Sequence, residues 1–208
     1  MTYTVVKQFL VILKTRGNTS VFLLGIPMIL TVFTHLWNPV GFPGVFVDEG
    51  YYMGRAMHVL EGLGPQEDPH LYDHPYFGQL FLAGASRIIG YPDSLHLPSS
   101  SGKTVNSIEM LYHVPRVLMG ILAVLDTFLV YKIAELLYNR NIALIASLFF
   151  AVMPITSMLR WILLDTILLP FLLSSIFFAV HYYVKKNSPS KDNKSTKTND
   201  IQIIKLNN

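Results

Sequence analysis

Residues 111–137 read LYHVPRVLMGILAVLDTFLVYKIAELL. Crossing bilayer hydrocarbon as a helix takes about 20 mainly apolar residues, and this run is long enough. Its charged side chains are Arg116, Asp126, Lys132 and Glu135. Outward from it, residues 142–158 and 162–184 are two further apolar runs. The first is set off by the tight turn Asn139-Arg140-Asn141, the second by a short turn carrying Arg160 and Trp161. A fourth run, residues 21–37, lies upstream, with Ser20 placed to cap it and Pro27 to kink it. It is short for a span, which flanking residues or a thin bilayer accommodate. No small-residue cleavage site follows it, so it reads as a retained anchor. The expected fold class is an all-α polytopic membrane protein. It has about four transmembrane helices, with juxtamembrane helices in the first outer loop.

Composition agrees. Of 208 residues, 51% are hydrophobic and 14% charged, against about 25% charged in soluble domains. With no cysteine, disulfides, thiolate metal sites and cysteine nucleophiles are excluded. The net charge of +3 matters through its distribution. Residues 1–20 hold Lys7, Lys14 and Arg16 and no acid, and residues 185–208 hold six lysines. Basic segments beside spans mark the cytoplasmic side, so both termini are expected inside and the loop 38–110 outside. A basic tail in this position is a topology signal, and no nucleic-acid partner is expected. The organisation is an inner segment 1–20, a membrane module 21–184 and a polar, weakly structured tail 185–208.

Within the outer loop, residues 48–63 have helical spacing and end at Gly62 and Gly64. Residues 76–90 form a second helical pattern, too short to span and read as interfacial or re-entrant. Were it to span, the two termini would fall on opposite sides. Residues 91–107 read as a flexible loop.

The most informative motif is Val47-Asp48-Glu49-Gly50-Tyr51-Tyr52-Met53-Gly54-Arg55-Ala56. Two carboxylates at a helix start are open to two readings. Asp48 caps the helix and Glu49 is a first-turn acid, or one of them is a general base at the membrane surface. A single carboxylate suits an inverting displacement of a phosphate leaving group, without the acid partner that glycosidases need. The patch from Glu67 to Pro75 gives weak metal candidates in His70, Asp73 and His74, whose spacing fits no standard zinc signature. No cofactor is otherwise implied, and a divalent metal would have to use these. Charges inside spans should face protein or water. Arg116 could pair with an outer-loop acid or meet a lipid phosphate, and Asp165 could pair with Arg160. Asp126 calls for a neutral carboxyl or a partner on a helix outside this chain.

Taken in order, several motifs resemble the C-type membrane glycosyltransferases, closest to the protein O-mannosyltransferases and the aminoarabinose transferases. They are Asp48-Glu49 after a short first span, His74-Pro75-Tyr76-Phe77-Gly78-Gln79-Leu80, and Pro115-Arg116-Val117 with Gly120. Asn139-Arg140-Asn141-Ile142, Met153-Pro154 and the stretch from Arg160 to Leu169 with Asp165 complete the series. The resemblance covers residues 20–184. It implies catalysis by Asp48 as base with Glu49 beside it, and donor or substrate contacts at Arg55, His74, Tyr76, Arg116 and Asp165. It also implies a polyprenyl-phosphate-sugar donor, with mannose as one such sugar, and a protein or lipid acceptor in a membrane-lipid setting. Such enzymes carry more spans than this chain, so the expectation is their N-terminal part, active with the remaining C-terminal part. Relatives often have two prolines where this chain has only Pro75 after His74. A non-catalytic four-helix membrane subunit or scaffold is the competing expectation. A small transporter, suggested by Asp126 and Asp165, lacks the paired half-helix pattern.

Overall fold

The computed structural model describes residues 22–64, 76–88, 90 and 104–187, with residues 104–110 described as backbone only. His70, Asp73, His74, the N-terminal segment and the tail beyond residue 187 lie outside the described residues. Among those described, every regular element is helical: α1 (Phe22–Leu36), α2 (Val47–Leu60), α3 (Tyr76–Ile88), α4 (Thr104–Leu137), α5 (Arg140–Val152), a 3₁₀ helix (Pro154–Arg160) and α6 (Leu164–Asn187).

Two helices are long and apolar enough to cross a membrane, Leu111–Leu137 within α4 and Leu164–Asn187. Arg140–Val152 and Pro154–Arg160 pass that test together but meet at 65°. Phe22–Leu36 is apolar and shorter. The third expected span, residues 142–158, is met by this bent pair, broken at Met153. Pro154 has no N–H to continue the ladder, and it holds Met153 in an extended conformation (φ −63°, ψ 133°). The chain tightens into a 3₁₀ helix that also takes up Arg160, which was expected with Trp161 in a short turn after the span. A correction concerns α4, which begins at Thr104, inside the expected 91–107 loop.

Polar bonds lace α1 into the bundle. The Thr31 and Thr127 hydroxyls lie 2.9 Å apart across α1 and α4, both fully buried. Thr34 Oγ1 donates to Ala151 O at 3.0 Å, and His35 Nε2 is 3.0 Å from Thr156 O. The bend after Val152 takes Ala151 O out of a continuing α-helical ladder, which leaves it open to this cross-helix donor. Gly120 permits the close approach of α1 to α4. A Cβ there would sit 2.4 Å from Leu36 Cδ2 and 2.9 Å from His35 O. These contacts run α1 antiparallel to α4 and parallel to α5.

The two short helices cover one end of this bundle. Of the buried residues on α2, Glu49, Tyr52, Met53 and Ala56 make a single stripe at i, i+3, i+4 and i+7, with Arg55 buried beside it. Tyr52, Met53 and Ala56 pack with Leu82 and Ala83 of α3, Met119 of α4, Ile162 just before α6 and Ile167 in its first turn. The helix α2 ends through Gly62 and Gly64 at φ +76° and +93°, backbone that glycine adopts without strain.

Candidate active site

The site is built around Glu49. The helix starts at Val47 with Phe46 as its N-cap, so Asp48 is not the cap, against one of its two readings. Glu49 sits at the third helical position, and its carboxylate reaches back to the Phe46 N–H at 2.8 Å, half of a capping box. The same carboxylate accepts Arg116 Nε at 2.8 Å, Arg116 Nη2 at 2.5 Å and the Ile162 N–H at 2.9 Å. A carboxylate offers about four lone-pair sites, and here all are taken.

Arg116 is equally committed. Its Nη1 donates to Pro39 O at 2.9 Å and Pro43 O at 2.8 Å, and its Nη2 also reaches Gly44 O at 3.1 Å. With the two bonds to Glu49, all five guanidinium N–H groups have acceptors. Both side chains are 0% exposed. The expected pairing of Arg116 with an outer-loop acid is thus found, and it leaves no donor of Arg116 over for a lipid phosphate. The unit ties together the 39–44 loop, α2, α4 and the residues that lead into α6. Trp161 strengthens it, donating Nε1 to Gly44 O at 3.0 Å and stacking on Phe46 with ring centroids 4.9 Å apart.

Asp48 is the opposite case. It is exposed, and no hydrogen bond or ion pair engages it among the described residues. One turn along α2 from Asp48 lies Tyr52, and Arg55 follows a second turn along, so the three share one face. Arg55 is buried, hydrogen-bonds to the Tyr51 hydroxyl and places its guanidinium 3.9 Å from the centre of that ring. Tyr52, Phe77, Gly78, Leu164, Asp165, Ile167 and Leu168 line a cleft of about 330 Å³ where α2, α3 and α6 meet. Asp165 is exposed at the first turn of α6 and opens on this cleft. It does not pair with Arg160, whose Nη2 instead donates to Trp37 O and Asn38 O. Tyr76 is exposed at the start of α3.

The bundle thus brings Asp48, Glu49, Arg55, Arg116 and Asp165 to the end where the short helices lie. Asp126 lies well along α4 from Arg116, fully buried, with neither carboxylate oxygen hydrogen-bonded. The described residues contain no group of three or more His, Asp or Glu able to hold a metal. Sequence reasoning did not anticipate that the Ile162 N–H and the carbonyls of Pro39, Pro43 and Gly44 would complete the Glu49–Arg116 unit. Backbone partners leave no residue-type signal.

A helical bundle with apolar spans and a carboxylate-bearing short helix at one end is the architecture of an integral membrane protein. The family model for dolichyl-phosphate-mannose-protein mannosyltransferase matches residues 66–198, and the chain belongs to that family. Its coarse function is accordingly that of a membrane glycosyltransferase of the mannosyltransferase type. Tyr76, Arg116 and Asp165 lie inside the matched segment, and Asp48, Glu49 and Arg55 precede it. No curated protein and no solved structure matches the chain.

Proposed function

We propose that the chain transfers mannose from a polyprenyl-phosphate donor to a hydroxyl of a protein acceptor, with Asp48 as the general base. The observation that carries this reading is the contrast within the adjacent pair. Glu49 has every acceptor position filled, while Asp48, beside it, is exposed and unengaged. In the proposed step the acceptor oxygen attacks the anomeric carbon as Asp48 takes its proton. The bond from that carbon to the phosphate oxygen breaks, the polyprenyl phosphate leaves as its anion, and the configuration inverts. Glu49 and Arg116 act as positioning residues, fixing the first turn of α2 over the bundle. Asp165 lines the cleft, with its carboxylate suited to sugar hydroxyls, and Arg55 on α2 and Tyr76 at the start of α3 are proposed as further substrate contacts.

In this reading the helical end bearing α2 and α3 faces the extracytoplasmic side, and the lysine-rich tail lies inside. The test is transfer of radiolabelled mannose from polyprenyl-phosphate-mannose to a Ser/Thr-containing peptide, in membranes that contain the chain. Transfer above that of membranes without it supports the proposal. Polyprenyl-phosphate-linked arabinose or glucose serving better than mannose overturns the choice of sugar.

A further inference from the structure

A second opening lies on the other side of the 37–46 loop, where α1 ends beside the bend between α5 and the 3₁₀ helix. It is a groove of about 250 Å³, and it shares no lining residue with the cleft that Asp165 borders. Phe33, Trp37, Phe42 and Val152 form its walls, all exposed, with Pro154 at the break and Arg160 in the lining. Exposed aromatic and aliphatic walls on a membrane bundle are surfaces for acyl chains.

Arg160 sets this groove apart. The residue is only 4% exposed, and its Nε is sealed from solvent with no hydrogen-bond partner. Its bonds are made by Nη2 to the carbonyls of Trp37 and Asn38, and Nη1 has no acceptor among the described residues. Among the described residues no carboxylate reaches it either, in contrast to Arg116 with Glu49. The centre of the Phe42 ring lies 5.3 Å from the Arg160 guanidinium carbon, but ring faces and carbonyl dipoles do not supply a counter-charge, and low dielectric magnifies the deficit. An anionic oxygen at Nη1 would supply both the missing charge and a charge-assisted hydrogen bond.

We infer that this groove binds one anionic phospholipid, its phosphate on Arg160 and one acyl chain along Phe33, Trp37 and Val152. The lipid would hold the end of α1 against the Pro154 bend. It is distinct from the donor, whose place in the proposed reaction is at the α2–α3–α6 cleft.

The test uses the full chain purified in detergent and incubated with phosphatidylglycerol or phosphatidylcholine of the same acyl composition, then read by native mass spectrometry. One phosphatidylglycerol should remain bound under conditions that strip phosphatidylcholine. Arg160→Gln should lower its retention at least about tenfold, as loss of one charge-assisted hydrogen bond implies. Should that variant fail to fold, Val152→Trp decides, because it fills the groove without touching the bonds of Arg160, and it should lower retention equally. Arg140→Gln, outside the groove, should leave retention unchanged. Equal retention of the two lipids, or full retention in Val152→Trp, overturns the proposal. Displacement of phosphatidylglycerol by equimolar farnesyl phosphate would assign the groove to the polyprenyl phosphate and overturn it as well.

Discussion

Glu49 Oε2 lies 2.5 Å from Arg116 Nη2, and the two residues stand 67 positions apart in the chain with both side chains shut off from solvent. The pair converts a first-turn acid of a surface helix into the bolt between that helix and the membrane bundle. Removing one member leaves the other as an uncompensated buried charge. Glu49→Gln and Arg116→Met should each cost about 3–5 kcal/mol. The double variant should cost less than the sum, by about 0.5–3 kcal/mol of coupling. Thermal unfolding of the purified chain in detergent checks this, and additive losses would show that the two side chains do not act as a unit.

Much of the helical layout is legible in the sequence because apolar length reads directly as helix in a membrane. The run 111–137 coincides with the apolar part of α4, Leu111–Leu137. The helices α2 and α3 fall where periodicity places them. The Arg160–Asp165 pairing fails for a geometric reason. A spacing of i+5 does not bring two side chains together on a helix, and here the 3₁₀ turn ends at Arg160 before α6 begins at Leu164. That Arg116 would find an acid could be anticipated from the cost of burying its charge. Which acid it finds depends on contacts remote in sequence.

The approach of α1 to α4 depends on Gly120. A larger residue there meets His35 O, which is backbone and cannot swing aside. Gly120→Val should therefore destabilise the chain by about 1–3 kcal/mol through overpacking. Gly54→Ala, with nothing within 4 Å of its added Cβ, should be neutral or stabilising by up to about 1 kcal/mol, since alanine favours the helix. The two midpoints from thermal unfolding, compared with the parent, decide.

Thr31 and Thr127 join α1 to α4 by a buried hydroxyl pair. Thr31→Val keeps the shape and removes the bond, leaving the Thr127 hydroxyl with its bond to Ala123 O. The expected loss is about 0.6 kcal/mol, typical of interhelical hydrogen bonds in membrane bundles. Stability unchanged within a tenth of that value would show that the contact between the hydroxyls contributes nothing.

With no native cysteine in the chain, single cysteines report sidedness cleanly. In sealed vesicles of known orientation, a cysteine at Val45 should react with a membrane-impermeant maleimide from the extracytoplasmic side. One at Lys191 should react from that side only after permeabilisation. The reverse pattern would invert the proposed orientation.

The division of labour between Asp48 and Glu49 is tested most directly by the rate of mannosyl transfer in Asp48→Asn, measured alongside its unfolding midpoint. Asp48 is exposed and makes no hydrogen bond or ion pair among the described residues, so the midpoint should stay at the parent value. Transfer should fall by about 10²–10⁴-fold, the range for loss of a general base. Transfer retained at the parent rate in a stably folded Asp48→Asn chain would contradict the account.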